Sequence, residues 1–145
     1  MWALRPEMGI GAGALSHAIY DQSILPVRER ELARMRIALI NGCAICQQWR
    51  STPGAEGQLT EADYADVLVW SASTRYTERE RVAIEYAERF AVAHEAIDDA
   101  LFARLHQAFT DAEILDLTVC IGGWLALGRT LHVLGIDDAC RLTST

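Results

Sequence analysis

Two cysteines three residues apart, Cys43 and Cys46, occupy the stretch Gly42 to Arg50, and an arginine follows the second by four positions. A Cys-x-x-Cys at a helix N-terminus brings two thiols within disulfide reach, and the helix dipole and free amides favour the thiolate of the nearer sulfur. Reversible oxidation is the chemistry such a pair suits. A metal site would need further ligands, yet there is no second Cys-x-x-Cys and no His-x3-5-His, and Cys120 and Cys140 stand alone. No metal and no cofactor is therefore expected. The plainer alternative is a pair of buried structural cysteines. On a helix beginning near Cys43, positions 43, 46 and 50 share one face, so Arg50 is expected against the thiols. There its fixed charge would stabilise a thiolate; the competing reading is a solvated helix arginine. Arg50 cannot carry protons, because guanidinium offers only donors.

Glu31 is the nearest acid with a chemical claim. Its helical neighbours Met35 and Ala38 look inward, while Arg28 and Arg34 are close enough to pair with it on a surface. Both readings stay open on the residues alone. The four histidines, His17, His94, His106 and His132, have no supporting spacing, although His132 lies in the last apolar segment.

The elements that must position these residues are helices. Thr60 to Asp63, Thr77 to Glu80 and Thr110 to Glu113 each match the capping box, and apolar residues follow at helical spacing: Val67 and Trp70, then Ala83, Tyr86, Ala87 and Phe90, then Ile114, Leu117, Ile121 and Trp124. Pro26 precedes a helix that Asn41 and Gly42 stop before Cys43, so the cysteines open a new helix. Further helices are predicted over Ala14 to Asp21 and Asp98 to Phe109, with Ser51 to Gln58 as a loop. Strand alternation is absent over any useful length. Residues 1–145 read as one all-α domain of six to seven helices. Gly122 and Gly123, each costly inside a helix, predict the close approach of a neighbouring helix, from this chain or from another subunit.

Composition removes several functions. The 145 residues carry 51% hydrophobic content and a net charge of -7, and no basic cluster interleaves with aromatics, so nucleic acid and acidic lipid are disfavoured. All 13 basic residues are arginines. That removes P-loop and Schiff-base lysine chemistry. The charge-free run Leu117 to Gly128 is shorter than the roughly 20 residues of a membrane span, and the start lacks the pattern of a signal peptide. A cytoplasmic protein with reduced thiols is the expectation.

The stretch Glu31 to Arg50, "ELARMRIALINGCAICQQWR", resembles the signature of the alkylhydroperoxidase D and carboxymuconolactone decarboxylase family, Glu-x11-Cys-x-x-Cys-x3-His. Glu31, Cys43 and Cys46 match, and Arg50 stands where the family has histidine. A looser resemblance runs from "DQSILPVRERELARMRIA" through "YTERERVAIEYAERF" to "FTDAEILDLTVCIGGWLALGRTLHVLGI". It implies an alkylhydroperoxidase D-like subunit assembling into a ring, as a homotrimer or a larger homo-oligomer. It further implies that Cys46 attacks a hydroperoxide or other small-molecule oxidant and Cys43 resolves it to a disulfide, with a thiol or lipoyl-type reductant closing the cycle. Glu31 then faces the thiols as a proton acceptor or pairs with Arg50. Two alternatives accompany this reading: a non-catalytic oligomeric scaffold or small-ligand binder, and a decarboxylase-like lyase, whose family members generally lack the cysteine pair.

Overall fold

The computed structural model describes residues 1–50 and 59–136. Seven α-helices run through them: α1 (Pro6–Asp21), α2 (Val27–Asn41), α3 (Ala44–Gln48), α4 (Glu61–Asp66), α5 (Glu78–Val92), α6 (Asp99–Ala108) and α7 (Asp111–Val133). No strand occurs among the described residues, which matches the all-α expectation. The loop predicted at Ser51 to Gln58 and the cysteine at position 140 lie outside the described residues.

All three capping boxes form. Thr60, Thr77 and Thr110 each accept from the N3 backbone amide, while Asp63, Glu80 and Glu113 bond back to the cap residue. The predicted helix at Thr60 is shorter than its apolar pattern suggests: α4 stops at Asp66 and Val67–Val69 tightens into a 3-10 turn. The predicted Ala14 to Asp21 segment is only the second half of α1. Pro6 stands in its first turn, where a missing N–H costs nothing.

Helix α2 is the central element, packing against α5 and α7 and bordered by α3. Its apolar side chains feed two clusters. Ala33 and Ile37 join Ile19, Val82, Tyr86, Leu101, Leu105, Leu117, Ile121 and Trp124 in the main core between α1, α5, α6 and α7. Leu32, Met35 and Ala38 join Tyr64, Val67, Tyr76 and Ile84 in a second cluster, against which Cys46 packs. Cys46 thus borders the second cluster.

Gly123 explains part of the glycine expectation. A Cβ there would lie 2.9 Å from Ile19 Cδ1, so the close neighbour is α1 of the same chain. Gly122 is different, since a Cβ added to it would meet nothing within 4 Å among the described residues. By length and composition alone α7 as a whole, 23 residues, is apolar enough to cross a membrane, which its shorter charge-free run does not reveal. Here Ile114, Leu117, Ile121 and Trp124 of α7 are core residues, the role that accounts for its apolar character.

Candidate functional site

The turn that delivers the cysteines is fixed by the end of α2. Gly42 adopts φ 64°, in the left-handed region open to glycine. Its N–H donates to the Leu39 carbonyl at 3.2 Å, and the Cys43 N–H donates to the Ala38 carbonyl at 3.2 Å, the paired bonds of a Schellman stop. Cys43 is fully buried and caps α3, accepting from the Cys46 N–H at 3.2 Å. The two cysteines form a disulfide, with Cα atoms 5.3 Å apart. Cys46 is half-buried and opens on a cavity of about 340 Å³ between α1, α2 and α7.

Glu31 is buried, but its partner is Arg34. The two side chains are 0% and 2% exposed, and the guanidinium forks onto the carboxylate at 3.0 and 3.1 Å. The pairing considered for the surface therefore exists in the interior. Arg34 also donates to the Cys46 carbonyl at 2.6 Å and the Trp49 carbonyl at 3.0 Å, and lies 4.9 Å from the centre of the Trp49 ring. A buried positive charge is thereby fixed to the backbone of the cysteine segment. Tyr64 donates to Glu31 Oε2 at 3.2 Å. Burial first, then the Glu31 carboxylate, pushes the Tyr64 hydroxyl up to about 12.

Arg50 does not reach its expected place by the expected route. Helix α3 ends at Gln48, so position 50 lies past the helix and no longer shares a face with positions 43 and 46. Its guanidinium forks onto Glu61 at 2.9 and 2.8 Å, donates to the Gln47 and Trp49 carbonyls, and sits 4.2 Å from the Tyr64 ring centre. Glu31 and Arg50 are linked through Tyr64. The site residue without a sequence signal of its own is Arg34, visible only as one half of an i, i+3 pair whose burial the pattern does not reveal.

Among the histidines, His132 comes nearest the turn: a Cβ placed on Gly42 would lie 3.7 Å from its Cε1. Cys120 donates weakly to the Ile19 carbonyl and to Asp116, and burial, then Asp116, pushes its thiol up to about 12. It is a core residue. No group of three or more His, Cys, Asp or Glu side chains among the described residues is arranged to hold a metal ion.

Residues 6–89, more than half of the chain, match the carboxymuconolactone decarboxylase family profile. The chain is 34% identical over 93 residues to the uncharacterised protein YnjA of Escherichia coli, covering 64% of this chain and 51% of that protein, so it spans about half the length of that relative. It is 25% identical over 121 residues to the uncharacterised protein YdfG of Bacillus subtilis, covering 83% and 82% of the two chains. Among solved structures it is similar to an Agrobacterium tumefaciens protein of unknown function, proposed to be the antioxidant defence protein AhpD. That match has a TM-score of 0.78 at 26% identity, over 95% of this chain and 94% of that one. An uncharacterised peroxidase-related protein from Ralstonia eutropha, described as an alkylhydroperoxidase AhpD core, shares the fold with a TM-score of 0.72 at 20% identity, over 95% and 74%.

Proposed function

The chain belongs to the carboxymuconolactone decarboxylase family, in its alkylhydroperoxidase D-like form, and from that premise we propose that it is a thiol peroxidase working by a Cys43–Cys46 dithiol/disulfide cycle. The observation that carries the reading is the bonded pair itself, with Cys43 buried and Cys46 open to a cavity. In the cycle the Cys46 thiolate attacks the distal oxygen of a hydroperoxide, the O–O bond breaks, and the alkoxide leaves to be protonated by solvent. Cys46 is then a sulfenic acid. The Cys43 thiol attacks that sulfur, expels water and closes the disulfide, which an external dithiol of the lipoyl kind reduces by exchange.

In place of the relay histidine this chain keeps a buried cation. Arg34 is held beside the Cys46 backbone, where a positive charge favours thiolate over thiol. Proton release passes to solvent from the half-exposed Cys46. Arg50 serves the site indirectly, by closing over Tyr64. A cytoplasmic setting, with its supply of reduced dithiols, suits this cycle. So does assembly into a trimer or larger ring.

Thiol counting by mass spectrometry tests the proposal. The fully reduced chain has four thiols. One equivalent of hydroperoxide should remove two of them, at positions 43 and 46, and dithiothreitol should restore them. Cys46→Ser should abolish peroxide consumption. Four thiols surviving the oxidant, or over-oxidation with no bridge, would refute the cycle.

A further inference from the structure

The cavity that Cys46 lines is drawn out along α1. Tyr20 and Arg34 stand at one end of its wall, and Gly9 with Trp2 at the other. Positions 9 and 20 lie on one helix, which rises about 1.5 Å per residue, so that wall runs for about 16 Å. The cysteine lies toward the Tyr20 end. Arg34 donates to the Cys46 carbonyl at 2.6 Å, and Trp49, further along the same segment, puts its ring 5.1 Å from that of Tyr20. Between the ends α1 contributes Ala12, Gly13 and Ser16, side chains that leave the length of the space open.

The far end is closed by a residue from outside the helix. Trp2 belongs to the 3-10 turn Trp2–Leu4 that precedes α1, and it is seated on Gly9: a Cβ there would lie 2.9 Å from Trp2 Cβ and 3.5 Å from Trp2 Cγ. Any larger residue at position 9 displaces the indole. Glycine weakens a helix interior relative to alanine, and the seat it makes for Trp2 is the gain that offsets this. Ile37 in the same wall is fully buried while Trp2 is 41% exposed, so the indole stands between the cavity and solvent.

We propose that Trp2 is a specificity-determining residue of this site, an end wall that sets how long an apolar tail can lie along α1 while its reactive head reaches Cys46. Spread over that length, a cavity of about 340 Å³ is about 5 Å across, the width of a single hydrocarbon chain, so the tail it takes is unbranched. A longer tail has to lift the indole off Gly9 or remain in water. This deepens the peroxidase reading and rests on it for the chemistry of the head group.

N-alkylmaleimides of growing length, ethyl, hexyl and decyl, test the end wall on the reduced protein, with the rate read at Cys46 in its own peptide. Rates taken relative to ethyl remove any change in thiol acidity. In wild type the rate should climb from ethyl to hexyl, by up to about four-fold for each methylene that the cavity takes in, and fall again for decyl. Trp2→Ala should raise decyl to at least the hexyl rate. Gly9→Ala, a better helix former that cannot seat the indole, should act in the same direction from a different element. Equal rates along the series in wild type, or a decyl penalty that persists in Trp2→Ala, overturns the assignment. Alkylation needs no oxidant. A chain that shows the length dependence but makes no disulfide with hydroperoxide loses the redox cycle and keeps Trp2 as its end wall; one that makes the disulfide and is blind to tail length keeps the cycle and loses the end wall.

Discussion

Two arginines sixteen positions apart divide the work that one position was expected to do. Arg50 is joined to Glu61, whose side chain is 77% exposed, and solvent screening leaves such a pair little net worth. Arg34 is joined to Glu31 with both side chains out of water, and removing one member of such a pair costs about 3–5 kcal/mol. Urea unfolding should therefore separate Arg34→Met, strongly destabilised, from Arg50→Met, nearly unchanged. The cysteine chemistry should follow the same division. In reduced protein, Arg50→Met should leave the pH profile of Cys46 alkylation where it was. The double variant Glu31→Gln/Arg34→Gln, which buries no lone charge, should shift that profile toward the roughly 8.5 of an unperturbed thiol. An Arg50→Met profile that shifts as far would return the electrostatic role to Arg50. At this scale the cysteine spacing and the acid at position 31 were readable, since both follow from chain register. Arg34 was not, because a Glu and an Arg three apart look the same on a wet face and in a dry core.

Elements were read most securely where their ends carry a local chemical signature. The three Thr boxes and the Gly42 stop all depend on neighbours within a few residues, and all formed. The misses have physical causes too. Gly9, Gly11 and Gly13 weaken the helical signal over the first half of α1, and packing overrides it; a Cβ on Gly9 would lie 2.9 Å from Trp2 Cβ. Helix α3 ends two residues before Arg50, where the Arg34 N–H groups take up the Cys46 and Trp49 carbonyls. Nothing in the local sequence announces that partner. The cap at Thr110 also sets a pH dependence. The Thr110 amide first, then Arg79 against the opposing effect of burial, holds the Glu113 carboxyl below its ordinary 4.5. A depressed carboxyl stabilises the fold above its unfolded value, and that contribution disappears as pH falls through the folded one. Wild type should exceed Glu113→Gln in unfolding free energy at pH 7, and the gap should close steadily below about pH 4.5. A gap that stays constant down to pH 3 would detach Glu113 from acid stability.

Across the whole molecule, the absence of lysine has a structural counterpart. Arginines fork between helices and take up main-chain carbonyls: Arg79 joins Glu29, Glu113 and the Ala108 carbonyl, Arg104 joins Glu78 and Glu85, and Arg30 donates to the Tyr20 carbonyl. An ammonium lacks that planar set of donors, so Arg→Lys is not conservative at these joints. Among the described residues a stripe along α7 is left uncovered, with Leu115 65% and Val119 45% exposed, continuing through Gly122, where an added Cβ would meet none of them. That stripe supports the assembly proposal. Light scattering at micromolar concentration should give a trimer or more for wild type. Gly122→Leu, whose Cβ meets none of the described residues, should lower that mass. A wild-type monomer, or a variant that assembles normally, would remove the α7 stripe from the assembly.

Arg34 grips α3 by carbonyl oxygens, and those oxygens are indifferent to whether the two sulfurs are joined or parted. The Schellman stop holds the entry to the segment in the same indifferent way. Opening the bridge should then free little chain, and the exterior of the molecule should keep nearly one shape in both oxidation states. A redox messenger needs the contrary, a segment that swings and alters what neighbours see. On the proposed cycle electrons would be spent silently: whatever reduces the bridge would have to recognise sulfur at close range, because no altered silhouette would announce the oxidation.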